Sequence, residues 1–205
     1  MRVNSPWSQN IQFFDSLPST NDLLLEMAES GAPEGTIVIA EEQTRGRGQF
    51  HRPWTSPSGM GLWMSLLLRL PIENEIIKGL SQLGPVSLSN ALLELGIDPS
   101  LLKIKAPNDL LLQGKKVAGI LVETRRGISS FAVIGLGLNI HQRAKDFPSE
   151  LRKKATSLTL AGIDHINREQ LLPVVIACLY KHYQELRSDP LALHDAWNAF
   201  EVGLD

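Results

Sequence analysis

The stretch Thr36–Leu68, TIVIAEEQTRGRGQFHRPWTSPSGMGLWMSLLL, decides the class of fold. Thr36–Ala40 is β-branched and apolar and predicts a buried strand, and Leu62–Leu68 predicts a second. Between them Arg45, Arg47 and Arg52 share a loop with Gly46 and Gly48 that ends against Trp54. The order is strand, glycine-rich loop, strand. A phosphate-binding P-loop or a dinucleotide fingerprint needs a helix directly after its glycines, so both are excluded. Two readings of the loop remain. It is a mobile, solvated surface segment, or its glycines let the backbone wrap an anion while arginine forks pair with phosphate or carboxylate oxygens. In the second case the loop closes over a ligand and excludes water, with Trp54 as packing anchor or flat apolar wall.

Working outward, Ile11–Phe14 predicts a short strand, and Ser19 or Thr20 N-caps a helix that Gly31 and Pro33 stop. Apolar residues at helical spacing over Glu73–Leu95 predict one long helix, or two broken near Gly84-Pro85. Leu101–Lys105 and Leu110–Leu112 predict short strands around Ala106-Pro107-Asn108-Asp109. A tight turn at Gln113-Gly114 leads into a strand over Lys116–Thr124, paired as a hairpin with Ser129–Ile140. Arg168–Arg187 is an amphipathic helix, and Pro190–Phe200 adds a short one. Strands fill the middle and helices flank them without regular βαβ alternation. The expectation is a single α+β domain spanning 1–205, with a mixed central sheet flanked by helices.

Composition narrows the function. The 20 Lys+Arg balance 22 Asp+Glu for a net charge of −2, which argues against a protein built to hold duplex nucleic acid; any basic patch is local. The N-terminal MRVNSPWSQN lacks the charged start and apolar core of a signal peptide, and no apolar stretch approaches the length of a membrane span. The single cysteine, Cys178, lies in the apolar run Leu171–Tyr180 and reads as a buried structural thiol. Together these imply a soluble cytoplasmic protein without a membrane partner. The histidines (His51, His141, His165, His182, His194) are scattered, so no metal constellation is visible, and no G-x-S-x-G elbow occurs.

The strand FAVIGLGLNI carries the clearest hint of a site. Ala132, Ile134, Leu136, Leu138 and Ile140 form one apolar face, while Val133, Gly135, Gly137 and Asn139 form the other. Two adjacent positions without side chains make room for a packed helix or a bulge, or leave backbone bare for a flat ligand edged by Asn139. Gly119 repeats the device on the preceding strand. There Lys116 is a solvated strand end or an ammonium reaching a phosphate or carboxylate, and in an ideal strand it faces away from Glu123. Asn108 and Asp109 are self-capping turn residues or chemical ones. The residues alone do not name the ligand.

Ser19-Thr20-Asn21, then Glu42-Gln43-Thr44-x-Gly46-Arg47-Gly48 ending at Trp54, resemble the catalytic domain of biotin–protein ligases. So do Lys105-x-Pro107-Asn108-Asp109, Gly114-Lys115-Lys116-x-Ala118-Gly119-Ile120-Leu121-Val122-Glu123, Gly135-x-Gly137-x-Asn139 and Ala155-Thr156-Ser157-Leu158. Each motif is weak; the ordered set, from about residue 11 to 200, is specific. The resemblance implies a class II aminoacyl-tRNA synthetase-like fold and a two-step reaction. Biotin and MgATP form biotinyl-5′-AMP, and biotin then passes to a lysine of the biotin carboxyl carrier protein of acetyl-CoA carboxylase. It implies catalytic roles for Lys116, Arg47 and Asp109. Biotin would meet Ser19, Thr20, Gln43, Gly46, Arg47, Lys116, Gly119 and Gly135. ATP would meet Arg47, Gln49, Trp54, Asn108, Lys116 and Asn139, with the magnesium ligands unassigned.

The sequence departs from the pattern in places. Ala106 stands where the family usually has tryptophan, and Gln49-Phe50-His51 replaces a commoner Arg-x-Gly. The motifs begin near residue 11, so a DNA-binding helix-turn-helix domain is not expected, nor is a nucleic-acid partner; a small C-terminal β-barrel is expected to be absent or truncated. Monomer and homodimer both remain open. Two alternatives stand beside the ligase: a biotin-binding sensor without transfer activity, and a lipoate or octanoate ligase of the same superfamily.

Overall fold

The computed structural model describes residues 5–71, 74–127 and 129–202. Seven strands form one sheet: β1 (Ile11–Leu17), β2 (Ile37–Gln43), β3 (Gly61–Arg69), β4 (Leu102–Lys105), β5 (Asp109–Leu112), β6 (Lys115–Arg125) and β7 (Phe131–Asn139). Their spatial order is β1-β2-β3-β7-β6-β5-β4. Only β1 and β2 run parallel; every other neighbour is antiparallel, so the sheet is mixed as expected. Four helices accompany it: α1 (Thr20–Glu29), α2 (Asn74–Glu94), α3 (Arg168–Ser188) and α4 (His194–Phe200).

Period-two alternation distributes the strands' side chains between two apolar layers. Ile37, Ile39, Leu62, Met64, Ala132, Ile134, Leu136 and Leu138 enter the larger core, shared with residues of α2, α3 and α4. Val38, Leu67, Phe131 and Val133 point the other way, into a smaller cluster with Leu24, Leu25 and Ala28 of α1. Ser19 caps α1 by accepting from Asp22 N. α1 lies over β2, β3 and β7, which leaves the same face of β4–β6 without a helix.

The helix over 73–95 is unbroken from Asn74 to Glu94 although Pro85 lies inside it. Gly84 is what the break signal concealed: a Cβ there would stand 2.8 Å from Ile120, so the missing side chain lets α2 settle on β6. Glu73 lies outside the described residues. The last helix starts at His194 rather than Pro190; Pro190–Leu193 turns first, and the chain after α4 pairs Val202 N with Ile104 O along the outer edge of β4. Cys178 is buried as expected, its thiol pushed up to about 12 by desolvation and by Glu94. Among the described residues, no helix is long and apolar enough to cross a membrane.

Candidate functional site

The glycines of β6 and β7 stand side by side. Gly119 pairs with Gly137, Gly137 with Trp63, and Asp109 with Gly119, so one row crosses four strands on the face that α1 only half covers. The glycines were expected either to make room for packed protein or to leave backbone bare. The floor is roofed by two protein side chains: a Cβ on Gly135 would stand 2.2 Å from Asn21 Oδ1, and one on Gly137 would stand 2.5 Å from Trp54 Nε1. Trp54 also lies against Gly119, 3.0 Å from where its Cβ would be. The indole N–H is buried without a hydrogen-bond partner. Groups held permanently in place are rarely left so; a desolvated donor without a partner costs on the order of 1–3 kcal/mol.

A polar cluster stands at the α1 end of this floor. Gln43 Oε1 accepts from Thr20 N at 2.9 Å and Thr20 Oγ1 at 3.1 Å, and Gln43 Nε2 donates to Ser56 Oγ at 2.8 Å. Ser65 Oγ, fully buried, lies 2.7 Å from Thr20 Oγ1 and 2.5 Å from Asn21 Oδ1. Two hydroxyl protons thus serve three oxygen–oxygen contacts, and the chain of hydroxyls can orient toward Gln43 or toward Asn21. Asn21 Nδ2 donates to Glu123 Oε2 at 2.8 Å, which ties the cluster to β6.

The arginine loop is an ordered hairpin here rather than a free flap. Arg47 pairs with Pro53, and Gly48 N donates to Arg52 O. Gly46 must lack a side chain, because a Cβ would stand 2.4 Å from Trp54 O. Arg47 forks onto Glu123 at 3.0 and 2.8 Å and also meets Asp22 Oδ1 through Nε at 2.9 Å and Nη2 at 2.5 Å. Partial burial works against its charge, but Glu123 and Asp22 outweigh that and raise its pKa. Arg45 and Arg52 point to solvent, Gln49 is half-buried, and Phe50 at the tip is 83% exposed in a left-handed conformation.

Lys116 sits at the other end. Its Nζ is 2.5 Å from Asp109 Oδ1 and 5.2 Å from the centre of the Trp54 ring. Strand parity puts Lys116 and Glu123 on opposite faces, yet they share one. The β5–β6 register jumps from Leu110↔Ala118 to Leu111↔Lys116, so Val117 is an extra residue that enters the core and turns Lys116 outward. Asn108 Nδ2 donates to Ile120 O at 2.6 Å, holding the turn against β6. Asn139 is buried, donating to Thr156 O and accepting from Gln142 Nε2. Its visible task is to fasten the Ala155–Ser157 segment, whose backbone pairs with Lys116.

The structure therefore brings Thr20, Gln43, Arg47, Trp54, Asp109, Lys116, Gly119 and Gly135 to one face. Ser19 caps α1 beside them, Gln49 stands apart at the loop tip, and Asn139 reaches Lys116 only through the segment that it fastens. Asp22, Glu123, Ser56 and Ser65 join the site without having been singled out as site residues. Ser65 had a readable signal: it is the lone polar residue of the run GLWMSLLL, and a hydroxyl in such a strand needs a buried partner. Among the described residues, no group of three or more His, Cys, Asp or Glu side chains could hold a metal.

A model of the biotin/lipoate A/B protein ligase family matches residues 13–139. The chain is 37% identical over 202 residues to the bifunctional ligase/repressor BirA of Bacillus subtilis, covering 96% of this chain and 61% of that protein. It is 34% identical over 177 residues to a biotin–[acetyl-CoA-carboxylase] ligase of Mycobacterium tuberculosis, covering 82% of this chain and 62% of that one. It thus spans about three fifths of the length of these relatives. Among solved structures it is similar to the biotin protein ligase of Aquifex aeolicus in complex with biotin and ATP. That match has a TM-score of 0.78 and 28% identity, covering 96% of this chain and 80% of the other.

Proposed function

We propose that this chain, which belongs to the biotin/lipoate A/B protein ligase family, activates biotin with ATP as biotinyl-5′-AMP. Biotin then passes to a lysine of a carboxylase carrier protein. The observation that carries the proposal is the arrangement on one sheet face: the Thr20–Gln43 cluster at one end, Lys116 with Asp109 at the other, and between them a glycine floor roofed by Asn21 and the displaceable Trp54.

In this reading the ureido ring of biotin meets Thr20 and Gln43, where adaptable hydroxyls and an amide offer both donors and acceptors. The valeryl chain lies along Gly137 and Gly119, beside the Asn21 side chain that covers Gly135, and brings the carboxylate toward Lys116. One carboxylate oxygen attacks the α-phosphorus of ATP, the acyl–phosphate bond forms and pyrophosphate leaves. The Lys116 ammonium opposes the negative charge that gathers on the α-phosphoryl oxygens, a kind of stabilisation worth ~10²–10³ in rate. Magnesium fits as an ion carried by the nucleotide, since it keeps most of its shell as water and phosphate and asks little of the protein; Asp109 is the carboxylate within reach. In the second step the carrier amine forms an amide bond with the acyl carbon, the acyl–phosphate bond breaks and AMP leaves. Asp109 takes the amine proton once Lys116 has turned to the phosphate. Trp54 would yield the floor to the ligand and then wall it from water, with Arg47 holding the loop down through Asp22 and Glu123.

The test is a mixture of the protein, labelled biotin, MgATP and an apo carrier domain. Label on the carrier lysine is the expected result. Biotin binding without pyrophosphate release would leave a sensor, and label from lipoate or octanoate in place of biotin would leave the sister activity.

A further inference from the structure

Two lysines close to the site have no part in the chemistry above. β4 alternates cleanly: Leu102 and Ile104 enter the core, and Lys103 and Lys105 project from the opposite, open face. The register puts Lys103 beside Leu111 and Leu111 beside Lys116, and Lys105 beside Asp109 and Asp109 beside Gly119. Lys103 thus stands two strands, roughly 10 Å, from Lys116, and Lys105 stands beside Asp109 itself, both on the same face. Lys153 and Lys154 are exposed in the turn whose backbone accepts from Lys116 N. No described carboxylate pairs with any of the four. Lys116 pairs with Leu111 on one side and with Ala155 on the other, so in a chain with a net charge of −2 the four lysines flank it from both sides.

We propose that this shelf of Lys103, Lys105, Lys153 and Lys154 is the landing surface for an acidic face of the acceptor protein, an inference that rests on the ligase reading. Access comes first. α1 and the 44–60 hairpin wall the floor on its β1–β3 side, so a partner that delivers an amine to Lys116 must pass over the helix-free β4–β5 side. Charge comes second. The incoming amine is itself a cation and meets Lys116, Lys103 and Lys105; carboxylates flanking it on the carrier offset that repulsion and speed the encounter. Shape comes third. Lys103 and Lys105 project from a strand face and Lys153 and Lys154 from an exposed turn, an open margin, whereas small phosphate ligands are held in concave sites.

The experiment compares wild type with the Lys103→Glu/Lys154→Glu double variant in two assays. Biotin-dependent ATP–pyrophosphate exchange needs no carrier, and labelled biotin transfer to a purified apo carrier domain does. Exchange should stay within about twofold, while the carrier KM rises about tenfold at low ionic strength with kcat little changed. Wild-type carrier KM should climb with added salt and the variant's should not. An unchanged carrier KM overturns the proposal. So does a raised KM for ATP in the exchange assay, which would give the shelf to nucleotide. Altered sedimentation of the enzyme alone with carrier KM intact would give it to a second copy, and also overturns it. Absence of exchange in wild type refutes the ligase reading itself and the inference with it.

Discussion

Gly135 and Gly137 are two residues apart on one strand and face the same way, yet alanine should act differently at each. At Gly135 the new methyl would stand 2.2 Å from Asn21 Oδ1 and 2.9 Å from its Cγ. Ordinary contact begins near 3.4 Å, so the amide must retreat about 1.2 Å. It cannot do so freely, because Ser65 holds it at 2.5 Å and Glu123 at 2.8 Å. Losing one neutral and one charge-assisted hydrogen bond costs about 2–4 kcal/mol. For a chain of this size that lowers Tm by ~5–15 °C. At Gly137 the methyl meets Trp54 Nε1 at 2.5 Å, but that atom has no hydrogen bond to lose and belongs to a loop residue that can swing away. The expected loss there is ~1 kcal/mol or less, offset by the reduced chain entropy of alanine, so Tm moves by a few degrees at most. Thermal melts of the two purified variants decide the matter. Equal destabilisation, or a Gly135→Ala protein that melts with wild type, would refute the distinction between a fixed and a displaceable roof.

Two further outcomes follow from other parts of the molecule. Lys116→Ala should lower biotin-dependent pyrophosphate exchange ~10²–10³-fold, while Tm moves by no more than a few degrees, because the lost pair with Asp109 is partly solvated and worth ~1 kcal/mol or less; exchange within tenfold of wild type would remove Lys116 from its role. His182, buried between Ser87 Oγ at 2.9 Å and Asn90 Nδ2 at 3.1 Å, has its pKa lowered, chiefly by desolvation, with Glu185, Lys181 and Glu94 as the charges around it. The unfolded chain therefore takes up this proton first on acidification, so the contribution is full above pH ~6.5 and falls as pH drops toward the lowered folded value. Between pH 7.5 and 5.5 wild type should lose more Tm than His182→Gln; equal losses would contradict the assignment.

The strands were legible because β-branched and apolar runs between glycine and proline punctuation leave few other options. The faces of β7 followed from its parity, and the capped start of α1 from Ser19. What escaped the sequence was long-range. Parity misplaced Lys116 because a bulge at Val117 is set by pairing with β5, not by anything local to β6. Whether the glycine floor was packed or bare was not legible because its roof, Asn21 and Trp54, lies far away in the chain. The protein carboxylates that Arg47 pairs with, Asp22 and Glu123, were not legible because they lie 25 residues before it and 76 after it. Sequence patterns mark where side chains are missing; only the fold shows what fills the space.

Trp54 has one more consequence. Trp7 and Trp197 are sunk in the interior, at 5% and 6% exposure, so their emission should be blue and nearly indifferent to what happens at the surface; Trp63, though buried, lies beside Gly137 and donates to Pro57 O of the hairpin. The fourth indole rests on the glycine floor beside an ammonium group, on the hairpin that in the proposed function gives way to biotin. In that reading the native emission of Trp54 and Trp63 changes on titration with unlabelled biotin, while that of Trp7 and Trp197 stays constant.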